Sequence, residues 1–346
     1  MRRFRFAVGF FVLLHVVVLA AGVLAPHDPT TQNRRLSFAP PTTLHWIDAD
    51  GGFHWRPFVY RLEPDPQRPG GWREDPSQRF PLRLRVPSEP RQLGPWTAHH
   101  RWLGVDPPAA FHPLGTDRFG RDVASRLLHG ARRSLFAGFA AAWLAILVGS
   151  TLGVVAGFYG GRVDRVLMRG TELALALPWL YLLLGVRAAL PLDVDPSRAL
   201  VLLVLLVGLL AWAIPARMVR GETLAIRERE SVLAARGFGA GDLHLIRHHV
   251  VPAIAPTVLT QWALLTPQCV LAEATLSFFG LGAAEPHPSL GTLLSADQAL
   301  LALDTPVGLF APAVTLALVV LSYHLLANAF PRSPIAFETD AATPTG

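Results

Sequence analysis

Only a few residues of this chain stand where chemistry could use them. The run Phe111-His112-Pro113-Leu114-Gly115-Thr116-Asp117-Arg118-Phe119-Gly120-Arg121-Asp122-Val123 mixes carboxylates, guanidinia and an imidazole around two glycines. That pattern is a glycine-bearing turn leading into a helix N-capped by Asp122, and its charges fit structural pairing better than solute binding. Glu273 and Arg187 fall inside apolar stretches, where an ionisable group is expensive and faces protein or a water-filled path. Glu273 reads equally as a pathway residue and as half of a helix-packing ion pair; Arg187, near a helix end, reads as packing or snorkelling. His248 and His249 lack a third ligand at metal spacing, so no metal site is expected. There is no His-Glu-x-x-His, no Gly-x-Ser-x-Gly and no carboxylate pair in a believable pocket, so no catalytic residue and no enzyme activity are expected. All 31 basic residues are arginine. Without lysine the chain has neither a Walker A phosphate loop nor a Schiff-base nucleophile, and no cofactor is expected on it.

The elements that must hold these residues are apolar. Of 346 residues, 51% are hydrophobic and only 16% charged, against roughly a quarter charged in soluble domains. The apolar residues come in blocks, the mark of an all-α polytopic membrane protein. The net charge is +6, but the arginines sit at block ends and in one polar insert. No basic stripe or stacking motif accompanies them, which argues against nucleic acid as a partner. The one cysteine, Cys269, excludes an intramolecular disulfide.

Six spanning segments are expected, at 7–25, 136–157, 171–190, 199–217, 257–280 and 307–328. The first begins after Met1-Arg2-Arg3 and lacks a small-x-small cleavage site, so it reads as an uncleaved helix. Arginines crowd the N-terminus, the loop after the second segment and the loop after the fourth. The short loops 191–198 and 281–306 carry Asp193, Asp195, Glu285, Asp297 and Asp304 instead. Both termini then face the cytoplasm. The organisation expected is an N-terminal helix (1–25), an external insert with an interfacial helix (26–135), a five-helix core (136–330) with a cytoplasmic loop (218–256), and a cytoplasmic tail (331–346). The insert holds sixteen arginines, but segments of its length escape the charge rule. Its tryptophans argue for a small cap of folded strands and loops, one strand across Phe80–Val86, with a loosely packed insertion without a core of its own as the alternative. Gly149, Gly153 and Gly157 form an i, i+4 stripe for close helix packing.

In the loop, the run that begins at Arg229 reads as a short helix ended by the glycines at 237, 239 and 241. Asp242 then N-caps a second helix, and Pro252 opens the next span. On residues alone this is a surface helical hairpin. It resembles the Glu-Ala-Ala loop of ABC importer permeases, with Ala234, Ala235, Gly239, Val251 and Pro252 at matching spacing. Leu233 stands at the motif glutamate, with Glu230 one turn earlier, and His249 at a hydrophobic position. The 111–127 run resembles the signature of peptide/nickel permeases, in the C-type subunit, through Gly115, Thr116, Asp117, Gly120, Arg121 and Asp122. Pro26-His27-Asp28-Pro29 and Leu276-Ser277-Phe278-Phe279-Gly280-Leu281-Gly282 resemble the same subfamily. The likeness covers about 1–30 and 108–330; the 35–105 insert is longer than is typical, and His324, Ala327 and Asn328 are atypical.

The resemblance implies a type I ABC importer permease fold in a bacterial inner membrane and import of peptides or similar small solutes. It implies as partners a second permease subunit, two cytoplasmic ATPase subunits holding ATP and Mg, a periplasmic solute-binding protein and membrane lipid. It implies that the 230–252 loop, through Glu230, Leu233, Ala234, Ala235, Gly239, Val251 and Pro252, contacts the ATPase. The rival readings are a membrane-anchored enzyme with a periplasmic catalytic cap and a stand-alone secondary transporter.

Overall fold

The computed structural model describes residues 2–65, 67, 71–93, 96–189, 196–283, 285–297 and 306–330. The tail 331–346 and the loop acids Asp193, Asp195 and Asp304 lie outside the described residues. Contacts divide the chain into two units. One comprises Met1–Val12, Leu135–Leu276 and Ala317–Gly346, the other Leu13–Ser134 and Ser277–Leu316.

Helix α1 (Arg2–Leu19) is followed by the single turn α2 (Ala21–Leu24). The insert then supplies β1 (His45–Ile47), β2 (Phe53–Pro64) and β3 (Trp72–Pro81) as one antiparallel sheet, and β4 (Arg83–Leu93) with β5 (Trp96–Gly104) as a second. The single strand expected across Phe80–Val86 is instead split between the two sheets at Leu82. Pro81 has no N–H with which to extend a ladder, and Arg85 adopts φ 59°, which breaks the alternation of faces. Val59, Val105, Ala109 and Phe111 form an apolar cluster backed by Leu44, Phe80, Leu82 and Leu103. The insert thus owns a small core.

The remaining elements among the described residues are helical. Helix α3 (Val123–Tyr159) absorbs both the expected interfacial helix and the second span in one unbroken run of 37 residues. The expected span 171–190 is broken: α4 (Gly161–Ala176) stops before Pro178 and α5 (Trp179–Ala189) follows at a 90° bend. Proline disfavours helical geometry in the preceding residue, and Leu177 is extended at φ −80°, ψ 134°. The expected span 199–217 is likewise two helices, α6 (Pro196–Leu210) and α7 (Ala213–Arg227), bent by 43°. Helix α8 (Glu230–Gly237) and the turn α9 (Asp242–Leu245) precede α10 (Val251–Phe278), and α11 (Leu290–Asp297) and α12 (Pro306–Ala327) follow.

Pro252 does not open a helix. A five-residue π turn, Ile246–Val250, joins α9 to α10 without a break. Pro252 offers no N–H to the carbonyl four residues back, and a wider turn accommodates the missing bond. Among the described residues, three helices are long and apolar enough to cross a membrane, and five spans result if each bent pair counts as one; Phe4–Leu19 is shorter.

The glycine stripe of α3 packs on α7. A Cβ on Gly149 would lie 2.6 Å from the Trp212 carbonyl, on Gly153 2.6 Å from that of Ala216, and on Gly157 2.8 Å from that of Arg220. These are backbone atoms that cannot swing aside, so the two helices touch main chain to main chain. Asp164 on α4 receives two hydrogen bonds from Arg220, at 2.7 and 2.5 Å. Arg227 Nη1 donates to the carbonyls of Gly157 and Phe158 at 3.2 and 3.3 Å, satisfying the C-terminus of α3.

Candidate functional site

The signature run is the most determined part of the chain. Gly115 and Gly120 have φ +75° and +71°, which glycine alone adopts cheaply. They are also walled in: a Cβ at 115 would lie 2.5 Å from the Ala39 carbonyl oxygen, and one at 120 only 1.8 Å from that of Asn33. Thr116 stitches the run to the segment after the first helix. Its N–H donates to the Ala39 carbonyl at 3.0 Å, its hydroxyl donates to the Leu36 carbonyl, and the same oxygen accepts from Ala39 N–H at 2.8 Å.

Asp117 Oδ1 accepts from the N–H groups of Phe119 and Arg121 at 2.8 and 3.0 Å, and Oδ2 accepts from Arg121 Nε at 2.7 Å. The outer edge of the Arg121 guanidinium grips Glu285 with bonds of 2.6 and 3.1 Å. Arg126 also donates to Glu285, at 3.0 Å, and its Nε lies 3.6 Å from Asp117. Arg121 and Arg126 are 2% and 1% exposed, so two buried cations are matched by two carboxylates. Burial raises the Glu285 carboxyl, but Arg121 and Arg126 outweigh it and hold it below its ordinary range. For Arg121, burial likewise opposes the charge, and Glu285 and Asp117 more than restore it.

Asp122 caps α3 as expected: Oδ2 accepts from Ser125 N–H at 2.7 Å. Its Oδ1 lies 3.0 Å from His112 Nδ1. Burial alone would raise this carboxyl, yet the His112 hydrogen bond and the nearby imidazoles lower it. Sequence spacing missed two members of this node. Glu285 stands 164 residues from Arg121, and His27 brings its ring to 4.5 Å from that of His112, 85 positions on. Only the shared proximity of 26–29 and 276–282 to apolar ends hinted that these loops meet the run.

The 230–252 loop is built on opposite lines. Val232, Leu245 and Val250 are buried with Val154, Phe158, Val219, Ile226 and Ile254. Glu230, Leu233, Ala234, Val251 and Pro252 are exposed, Ala235 is half-buried, and Phe238 and Leu243 are 93% and 80% exposed. Gly239 has φ +88°, with its N–H donating to the Arg236 carbonyl at 2.9 Å, and nothing lies within 4 Å of a Cβ placed there. Gly237 and Gly241 do not need positive φ. Asp242 is not the cap: Gly241 holds that position, and Asp242 stands in the first turn, 3.6 Å from Arg236. The turn ends one residue earlier than its composition suggests, so the carboxylate meets the helix dipole and a guanidinium instead of an N–H.

Glu273 and Arg187 are both buried, at 1% and 3% exposed. Burial takes Arg187 out of the snorkelling reading.

The description "Binding-protein-dependent transport system inner membrane component" matches residues 149–334. The chain is 36% identical over 222 residues to a dipeptide transport system permease protein of Bacillus subtilis, covering 64% of this chain and 68% of that one. It is 36% identical over 221 residues to an oligopeptide transport system permease protein of Mycobacterium tuberculosis, covering 64% and 74%. It is 35% identical over 209 residues to a probable D,D-dipeptide transport system permease protein of Escherichia coli, covering 59% and 68%. A solved chain of the MetNI methionine ABC transporter aligns over 63% of this chain and 96% of its own, at 19% identity and a TM-score of 0.46. The family assignment rests on the sequence matches alone.

Proposed function

The chain belongs to the family of binding-protein-dependent transport system inner membrane components, and on that premise we propose that it forms part of the path by which peptides or similar small solutes enter a bacterial cell. The family is one of transport components, not enzymes, so the reading of a membrane-anchored enzyme falls away. The permease fold and the inner membrane come with the family. The peptide class comes from the relatives' names. The finer proposal is six spans with both termini inside, the 26–135 insert outside and the 218–256 loop inside. It rests on the arginine asymmetry of the short loops.

A second permease pairs with this one around the path, and a periplasmic binding protein delivers the solute. Two ATPase subunits hold ATP and Mg and close on each other. Their motion enters this chain through the 230–252 loop, where Phe238 and Leu243 present apolar surface and Glu230, Leu233, Ala234 and Ala235 supply the docking helix. The observation that carries this is a hairpin whose inner face is pinned by Val232, Leu245 and Val250 while Phe238 and Leu243 on its outer face are almost fully exposed. A push on such a hairpin moves α7 and α10 rather than bending the loop. Through the glycine contacts α7 moves with α3. Glu273, buried in α10, lies on a helix that would move and is the candidate path residue.

Cysteine labelling tests the topology. In a Cys269→Ala background, Trp55→Cys should react with a membrane-impermeant maleimide in intact cells, and Phe238→Cys only after permeabilisation. Both positions are over nine-tenths exposed. Labelling of Phe238→Cys from outside refutes the arrangement. The same Phe238→Cys chain, co-expressed with the ATPase subunits, should cross-link to one of them.

A further inference from the structure

The signature node holds an arrangement that the transport reading does not use. His27, His112 and Asp122 place one possible ligand atom each within 4.8 Å of the others. We propose that these three residues form a site for a divalent transition-metal ion of the zinc type, which ties the segment after the first helix to the start of α3. The donor set is two imidazoles and a carboxylate, which suits zinc and its neighbours and leaves a fourth position open.

Three observations carry the proposal, and none depends on the transport role. The ligands are held before any ion arrives. Ser125 N–H holds Asp122 Oδ2 at 2.7 Å, leaving Oδ1 turned to His112, and Ser125 Oγ accepts from the His27 N–H at 2.9 Å. The His112 N–H donates to Thr42 Oγ1 at 2.9 Å and its carbonyl accepts from Gly115 and Thr42. The Ser125 N–H orients a ligand carboxylate, and the other bonds fix the main chain that carries both imidazoles.

The charge pattern also asks for a cation. Arg121 and Arg126 are matched by Asp117 and Glu285. Asp122, 1% exposed, is left to two imidazoles whose centroids are 4.5 Å apart with planes inclined by 26°. A divalent ion held by both rings would answer that carboxylate.

The geometry is close to what coordination needs. Ligand atoms in a tetrahedral site lie about 3.3 Å apart, given bonds of about 2.0–2.1 Å. The His112–Asp122 pair is at 3.0 Å already. His27 is the least buried of the three, and its ligand atom lies within 4.8 Å of the other two.

The test uses the full chain in detergent, in a His244→Ala/His248→Ala background that removes the exposed histidine pair on the cytoplasmic loop. After chelator washing, Zn2+ is titrated and bound metal counted, and Co2+ is followed by its visible absorption. The proposal expects about one ion per chain, a tetrahedral Co2+ spectrum and a Zn2+-dependent rise in thermal midpoint. His27→Phe keeps an aromatic ring and Asp122→Asn keeps a cap acceptor, so both should fold, and each should weaken binding at least about tenfold. Wild-type affinity in His27→Phe, or no retained Zn2+ in the parent, overturns the proposal. If either variant fails to fold, the parent's Co2+ spectrum decides alone, and an octahedral or absent signal overturns it.

Discussion

The signature run and the cytoplasmic loop both turn on a glycine at positive φ, and they use it for opposite ends. Gly120 is enclosed: a side chain there would run into the Asn33 carbonyl at 1.8 Å. Gly239 is open, with nothing within 4 Å. Around Gly120 the charges are buried and answered within the chain, by Asp117 and Glu285. Around Gly239 the large apolar side chains of Phe238 and Leu243 face outward. The difference teaches where each region's specification is completed. The arginines of the run find their carboxylates within the chain; the loop leaves its large apolar side chains facing outward.

That contrast can be broken at several strengths. The largest effect belongs to Gly120→Val, which combines a backbone clash with a left-handed φ and should destabilise by on the order of 4 kcal/mol or more. Size-exclusion chromatography should recover almost no monodisperse protein. A well-behaved Gly120→Val chain would mean that the run is not self-determined.

Gly153→Leu comes next. Its Cβ would meet the Ala216 carbonyl at 2.6 Å, forcing α3 and α7 apart at a cost of about 1–3 kcal/mol. Thermal unfolding in detergent should show the loss, and transport should fall with it because the loop rides on α7.

Glu285→Gln sharpens the account of the run. It leaves Arg121 and Arg126 short of one carboxylate, but the Glu285 side chain is 43% exposed, so the penalty is discounted to about 1–2 kcal/mol. Its pH dependence follows from the lowered Glu285 carboxyl. The contribution is fully present above the ordinary value of 4.5 and is lost as pH falls through the lower folded-state value. Thermal midpoints of wild type and variant should therefore differ at neutral pH and converge in acid. A gap that persists in acid would show that the charge is not the cause.

Much of this was legible from local rules. Asp122 follows a glycine-arginine pair and precedes an apolar run, which marks a helix cap. Gly239 follows a helix and takes the positive φ that such a glycine usually takes. The i, i+4 glycines of α3 announce close packing without naming the partner. What could not be read needed distance or geometry. Glu285 becomes part of the node only because a turn at Ser277–Gly282, with Ala283 N–H on Ser277 Oγ at 3.0 Å, precedes it. His27 meets His112 for the same reason of chain return. The bends at Leu177–Pro178 and Ala211–Trp212 divide what hydropathy, blind to direction, averages into single spans. The split of Phe80–Val86 was hidden because alternation survives in the residue types while Arg85 reverses it in the backbone.

The central claim is that the 230–252 loop is completed by an ATPase subunit, and Gly239→Val tests it most directly. A Cβ at 239 has no described atom within 4 Å, so the strain lies in φ and costs about 1–2 kcal/mol locally. Gly237→Ala, at a helical position equally free of neighbours, is the matched control. Each chain would be co-expressed with its ATPases, second permease and binding protein, and ATPase co-purification and ATP-driven peptide uptake measured together. The account predicts normal insertion for both, with uptake and ATPase retention lost in Gly239→Val and kept in Gly237→Ala. Full uptake with the ATPase still attached to Gly239→Val would contradict it.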